Sequence, residues 1–374
     1  LVTAAACFAT VFGMKTLFSP LQFPSGAQAE NRIWLAPLTN LQSHADGALS
    51  TDELRWLQRR AEGGFGIIET CAAYVAKDGQ GWAGELGVAG DRHFPGLRQL
   101  ATTLQQQRAL SIVQLFHGGL RADPALTGES TWSATAFAEP GLTPARAATE
   151  EDLARVIGQF RDAAVRCFQA GINGVELHGA HGYLLGQFLS SVINTRTDGW
   201  GGTFAGRARL LREVTRAVRS AVPSSFTVGI RISPEDWGQA KGLDLDESLQ
   251  LARWLVEDGI DFLHISLWNS ARKTKKRPEA HPLTLFREVV PASLPLVVAG
   301  GIWTRAEAEA LLALGADAVA LGRAAIVNPD WPRQIQDVAW QPVRPPVTTA
   351  VLRAAALSDT FVSYLRKWSG FISD

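Results

Sequence analysis

Eight short apolar runs rich in β-branched residues recur along this chain, at 33–37, 66–70, 111–116, 174–178, 226–233, 262–267, 296–299 and 318–321. Each has the length of a strand, and amphipathic stretches long enough for helices separate most of them. Two of those stretches, EDLARVIGQFRDAAVRCFQA at 151–170 and the segment 305–314, carry apolar residues at helical spacing. They stop at Ala170-Gly171 and Leu314-Gly315, where glycine can take the left-handed conformation that ends a helix. Strands alternating with helices imply a parallel sheet joined by crossovers. Eight repeats predict an α/β fold closed into a (β/α)₈ TIM barrel rather than an open doubly wound sheet. We expect the barrel over 14–340 and a tail over 341–374, in which the Pro-rich 341–346 ends the barrel. Residues 351–368 then read as one terminal helix carrying Leu357, Phe361, Tyr364 and Leu365.

Lys+Arg and Asp+Glu both total 36, so no global field draws the protein to nucleic acid or to an anionic membrane. A small, weakly charged molecule is the expected partner. Cys7, Cys71 and Cys167 are too scattered for a disulfide framework, an iron-sulfur cluster or a thiolate zinc site. A reducing cytoplasm is the expected compartment. The apolar LVTAAACFATVFG at 1–13 has no Lys or Arg before it, is too short to span a bilayer, and lacks a small-residue cleavage site. It reads as a non-native or disordered extension ahead of Met14, the only methionine.

In such barrels the working groups sit at the C-terminal ends of the strands. Those ends hold Pro37-Leu38-Thr39, Thr70, Gln114 and HGAHGY at 178–183, then Arg231, Gly300-Gly301 and Gly322-Arg323. Either glycine pair alone reads as a tight turn. Together, after strands seven and eight, they suggest backbone N–H groups and a guanidinium cradling a phosphate. Arg231 alternates with Thr227, Gly229 and Ser233 on the face opposite Phe226, Val228, Ile230 and Ile232, so it should enter the barrel interior. A guanidinium there needs a carboxylate or an anionic ligand; Glu176 and the pyrimidine edge of a reduced flavin both qualify. His178 and His181 could bind zinc, yet no carboxylate or third histidine sits at the spacing of the familiar motifs, and no metal is expected. Two N–H donors can instead hold one carbonyl oxygen while Tyr183 protonates the neighbouring carbon. Taken singly, each histidine also reads as structural and Tyr183 as a packed aromatic. No GxGxxG follows the first strand, so no separate nicotinamide domain is indicated.

NRIWLAPLT at 31–39, HGAHGY with QFLS at 187–190, and NTRTDGWGG at 194–202 followed by Arg207 together resemble the Old Yellow Enzyme and NADH:flavin oxidoreductase family. The likeness runs over about 15–336. It implies that the backbone at Pro37, Leu38 and Thr39, with Thr70, Gln114, Arg231, Gly300, Gly301, Gly322 and Arg323, holds FMN. It further implies that His178 and His181 bind the substrate oxygen, that Tyr183 is the proton donor, and that Thr39 tunes the flavin. NADH or NADPH would then drive, in ping-pong order, reduction of the activated C=C bond of α,β-unsaturated carbonyl compounds. Rival readings are a relative acting on dienoyl thioesters or other xenobiotics, and a flavin-free phosphate-binding barrel serving as isomerase, aldolase or carrier. Leu41 stands where an aromatic is frequent, and an Arg-Trp terminus that reaches a neighbouring subunit is not evident, so a homo-oligomer is allowed without being required.

Overall fold

A computed structural model describes residues 15–138, 140–237 and 240–374; the expected extension at 1–13 lies outside them. The barrel strands are β1 (Ile33–Leu35), β2 (Ile67–Tyr74), β3 (Leu110–Phe116), β4 (Gly174–Gly179), β5 (Thr227–Ile232), β6 (Phe262–Ser266), β7 (Leu296–Ala299) and β8 (Ala318–Leu321). Every neighbouring pair is parallel, in sequence order, and β8 pairs with β1 to close the ring. The fold is the predicted (β/α)₈ barrel.

Local sequence explains the crossovers. In the helix Glu150–Gln169, Thr149 accepts from the Asp152 N–H while the Asp152 carboxylate reaches back to the Thr149 N–H, a reciprocal cap. Leu153, Val156, Phe160, Ala163 and Cys167 then face the sheet and are buried. The alternate residues of the strands split between two cores. Val228, Ile230 and Ile232 pack outward under the helices, while Trp34, Ile67, Ile112 and Phe262 fill the barrel with Leu21, Phe23 and Ala29 of the preceding hairpin segment. Gly229 makes room for that interior: a Cβ there would lie 2.1 Å from the Phe262 ring.

Two expectations are corrected. Strand β2 runs to Tyr74 rather than Thr70, because a bulge between Glu69 and Ala72 inserts one residue and carries the pairing on, with Ala72 beside Gln114. The tail forms two helices, Thr349–Ala354 and Asp359–Leu365, not one. Ala356 takes φ 62° between them and Ser358 caps the second through the Phe361 N–H. The buried Arg60 fastens this tail by donating to the Ala325, Ile326 and Ala355 carbonyls. Among the described residues, no helix is long and apolar enough to cross a membrane.

Candidate active site

At the C-terminal end of the strands a cavity of about 500 Å³ opens between Pro37, Leu38, Arg231, Gly300, Gly301, Gly322 and Arg323. A narrower recess of about 60 Å³ adjoins it, walled by Thr39, Gln114, His178, Tyr183, Ala72 and Trp82. Pro37, His181 and Arg231 line both. The fold therefore brings together every site residue expected from sequence except Thr70. The β2 bulge explains the exception. Thr70 is buried, its hydroxyl donating to the Cys71 carbonyl and accepting from the Gln114 N–H, and Ala72 faces the recess instead.

The recess is chemically specific. His178 and His181 stand at 90° with ring centroids 4.9 Å apart. The Ala180 N–H donates to His178 Nδ1 at 3.4 Å, which leaves Nε2 as the protonated nitrogen. His181 Nε2 meets Ser266 Oγ at 2.7 Å, and Arg231 Nη2 donates to the same hydroxyl at 3.1 Å. His181 itself has φ 60° and precedes Gly182 at φ 72°, so the chain turns sharply to deliver the imidazole. Burial, then the His181 and Arg231 charges, hold His178 well below the ordinary histidine range; burial and Arg231 do the same to His181. Both are neutral donors at physiological pH. Tyr183 packs edge-on against Phe116 at 4.5 Å. Burial, then Glu85, push its phenol up to about 12.

Gly322 and Arg323 follow β8 beside Gly300 and Gly301 after β7, and the two loops form one concave wall. A Cβ on Gly300 would lie 2.5 Å from the Leu267 carbonyl, and one on Gly301 would approach Arg323 Nη2 at 3.4 Å. The cradle exists because side chains are missing from it. Arg231 is buried, and its Nε has no hydrogen-bond partner among the described residues. Glu176, the partner considered from sequence, is close enough to act on Arg231 electrostatically, but its oxygens accept from Gln114 and His264.

Residues 16–339 match the NADH:flavin oxidoreductase / NADH oxidase family. The chain belongs to that family. It is 35% identical over 330 residues to a probable NADH-dependent flavin oxidoreductase, YqiG, of Bacillus subtilis, covering 86% of this chain and 88% of the relative. It is 31% identical to NADPH dehydrogenase of Bacillus cytotoxicus, covering 85% and 91%. Against the NADH:fumarate oxidoreductase of Klebsiella pneumoniae the identity is 31%, but the match covers 85% of this chain and only 36% of that larger protein. Among solved structures, the old yellow enzyme homologue from Zymomonas mobilis superposes with a TM-score of 0.81 at 26% identity, covering 93% of this chain and 99% of that one. Morphinone reductase gives 0.81 at 26%, covering 92% and 94%. The family member described here is an FMN-dependent NAD(P)H oxidoreductase of the Old Yellow Enzyme type.

The residues present fit FMN. The glycine cradle with Arg323 suits a phosphate, the unpaired Arg231 Nε suits an electron-rich edge, and the volume is that of a cofactor site. Several lining residues escaped the sequence reading. Ser266 shares the inward face of β6 with Phe262 and with His264 beneath the cavity, so strand alternation could have found it. Trp82, Trp237, Trp268 and Trp368 come from loops and the tail, where no periodicity marks a residue as inward. Leu41 lines a separate surface hollow with Tyr364 and Lys367.

Proposed function

We propose that this oxidoreductase reduces the activated C=C bond of α,β-unsaturated carbonyl compounds, taking NADH or NADPH and then the alkene at one site in ping-pong order. The observation that carries the reading is the convergence of His178, His181 and Tyr183, all uncharged at neutral pH, on the wall that Thr39, Gln114 and Arg231 complete. Bound FMN supplies the hydride, replenished by the nicotinamide.

The chain's own residues do the rest. His178 Nε2–H and the His181 ring donate to the carbonyl oxygen, where negative charge grows as the conjugated carbon is reduced. Neutral imidazoles keep their N–H protons on the ring, so the oxygen is stabilised without being protonated outright. Tyr183 gives its phenolic proton to the adjacent carbon, and its raised pKa keeps that proton in place until it is needed. Pro37, Leu38, Gln114, Arg231, Gly300, Gly301, Gly322 and Arg323 would hold the cofactor, and Thr39, on the recess wall, would tune it. The recess left beside the cofactor cavity measures only about 60 Å³, which supports consecutive rather than simultaneous occupancy by nicotinamide and alkene.

Initial-rate kinetics test this. NADPH varied at several concentrations of a cyclic enone should give parallel double-reciprocal lines and a saturated ketone as product. Intersecting lines overturn the ping-pong order; flavin reduction without any enone turnover overturns the substrate class.

A further inference from the structure

Beneath the recess, six strands send polar or aromatic side chains into the barrel: Trp34, Glu69, Gln114, Glu176, Arg231 and His264, all buried. Glu176 takes two donors. Gln114 Nε2 donates to one oxygen at 2.7 Å and His264 Nδ1 to the other at 2.7 Å. The Glu69 carboxyl has no hydrogen-bond donor within normal reach on either oxygen among the described residues, yet a carboxylate oxygen of Glu69, one of Glu176 and a ring nitrogen of His264 all lie within 4.8 Å of one another. Arg231 is the one fixed cation beside them among the described residues.

Charge decides what the cluster holds. Two ionised carboxylates against one guanidinium would leave an uncompensated negative charge in a dry interior, at a cost of several kcal/mol. One proton removes that imbalance. A divalent cation would overshoot it, leaving a net positive charge beside Arg231. Of the two carboxyls, Glu176 accepts two donors at 2.7 Å, which favours its ionised form, whereas Glu69 has only the Trp34 indole nearby, beyond normal hydrogen-bond reach. Burial and the Glu176 charge likewise drive the Glu69 carboxyl well upward. His264 donates from Nδ1 to the Glu176 carboxylate, and burial pulls its pKa downward, which favours the neutral imidazole.

We propose that Glu69 and Glu176 share one proton, held on Glu69, and act as positioning residues for the cofactor through Gln114 and Arg231. Because its Nε2 is committed to Glu176, Gln114 presents its carbonyl oxygen to the cavity and so selects an N–H of the bound ring. The single Glu176 charge fixes how much of the Arg231 charge remains for the reduced, electron-rich cofactor. This rests on FMN binding and not on which alkene is reduced.

The test uses the FMN-loaded enzyme and two readouts apart from turnover. In the infrared, wild type minus Glu69→Gln should contain a protonated carboxylic acid C=O band. Glu53 and Glu85, also buried and pushed upward, occur in both proteins and cancel. The flavin midpoint potential at neutral pH should be unchanged in Glu69→Gln. The double substitution Glu69→Gln with Glu176→Gln removes the remaining negative charge and should raise the potential by at least about 30 mV, tenfold in a two-electron equilibrium. Glu69→Gln is isosteric, and its flavin content and circular dichroism report whether it folds. Absence of the acid band from the difference spectrum overturns the shared proton. A potential that moves as far in Glu69→Gln as in the double variant, or in neither, overturns the charge assignment.

Discussion

His178 and His181 face each other at right angles, 4.9 Å between ring centroids, with Arg231 close enough to depress the titration of both. Neither is protonated near neutrality. The enone half-reaction should therefore show no inflection near the ordinary histidine pKa of about 6.5. Stability responds in the opposite region. Each folded-state pKa lies below its unfolded value, so this contribution is complete above about pH 6.5 and is lost as pH falls toward the folded values, since the unfolded chain binds the protons first. Acid unfolding followed by circular dichroism should begin lower in His178→Ala than in the parent, while enone reduction falls about 10²-fold. A rate inflection at 6.5 in the parent would show that the pair titrates as ordinary imidazoles and is not held depressed by burial and Arg231.

The fold was legible because its signal is periodic. β7 and β8 were delimited to the residue, and the inward face of β5 followed from the alternation that puts Arg231 opposite Val228 and Ile230. Thr70, placed at the end of β2 by strand position and by the family likeness, lies outside the cavity wall because a bulge carries β2 on to Tyr74 and leaves no mark in composition. Trp82 and Trp368 reach the site through loop and tail geometry, which depends on contacts distant in sequence. The break at Ala356 lay inside an apolar pattern that continues on both sides of it, and Ser358, a capping residue, was the one local hint.

Gly300 should tolerate no side chain. An alanine Cβ would stand 2.5 Å from the Leu267 carbonyl and 2.9 Å from the Ser270 N–H nitrogen, both backbone atoms that cannot rotate away. The loop must shift, and with it the cradle shared with Gly301 and Arg323. Purified Gly300→Ala should retain much less flavin per protein, read from visible absorbance, and melt several degrees lower. Full flavin content would remove this loop from the phosphate site.

The basic segment at 271–277 is less free than its sequence implies. Lys276 pairs with Asp244 and Asp246, and Arg277 with Asp246. Arg272 and Lys275 lie 5.3 and 4.9 Å from the ring centre of Trp237, which lines the cavity. Neutralising Lys276 and Arg277 should change the NADPH to NADH preference less than twofold. Neutralising Arg272 and Lys275 should weaken NADPH more than NADH, and less so at high salt. Equal effects on both nucleotides, independent of salt, would exclude steering by this segment.

Tyr183 separates the two half-reactions. Its phenol packs against Phe116 and lines the recess with both histidines, so Tyr183→Phe keeps the aromatic surface and removes one hydroxyl. Reduction of the enzyme by the nicotinamide draws no proton from this group, and its stopped-flow rate should change less than twofold. Reoxidation by a simple enone should slow by about 10²-fold or more, because the charge left on the substrate no longer meets a placed acid. A nitroalkene should suffer less, since its anion is stable enough to leave and be protonated in water. Alkaline pH adds an independent check on the wild type. The phenol titrates at about 12, so enone reduction should hold to well above pH 9 before it declines. Slowed reduction by the nicotinamide with enone reoxidation intact would place the proton donor elsewhere in the recess.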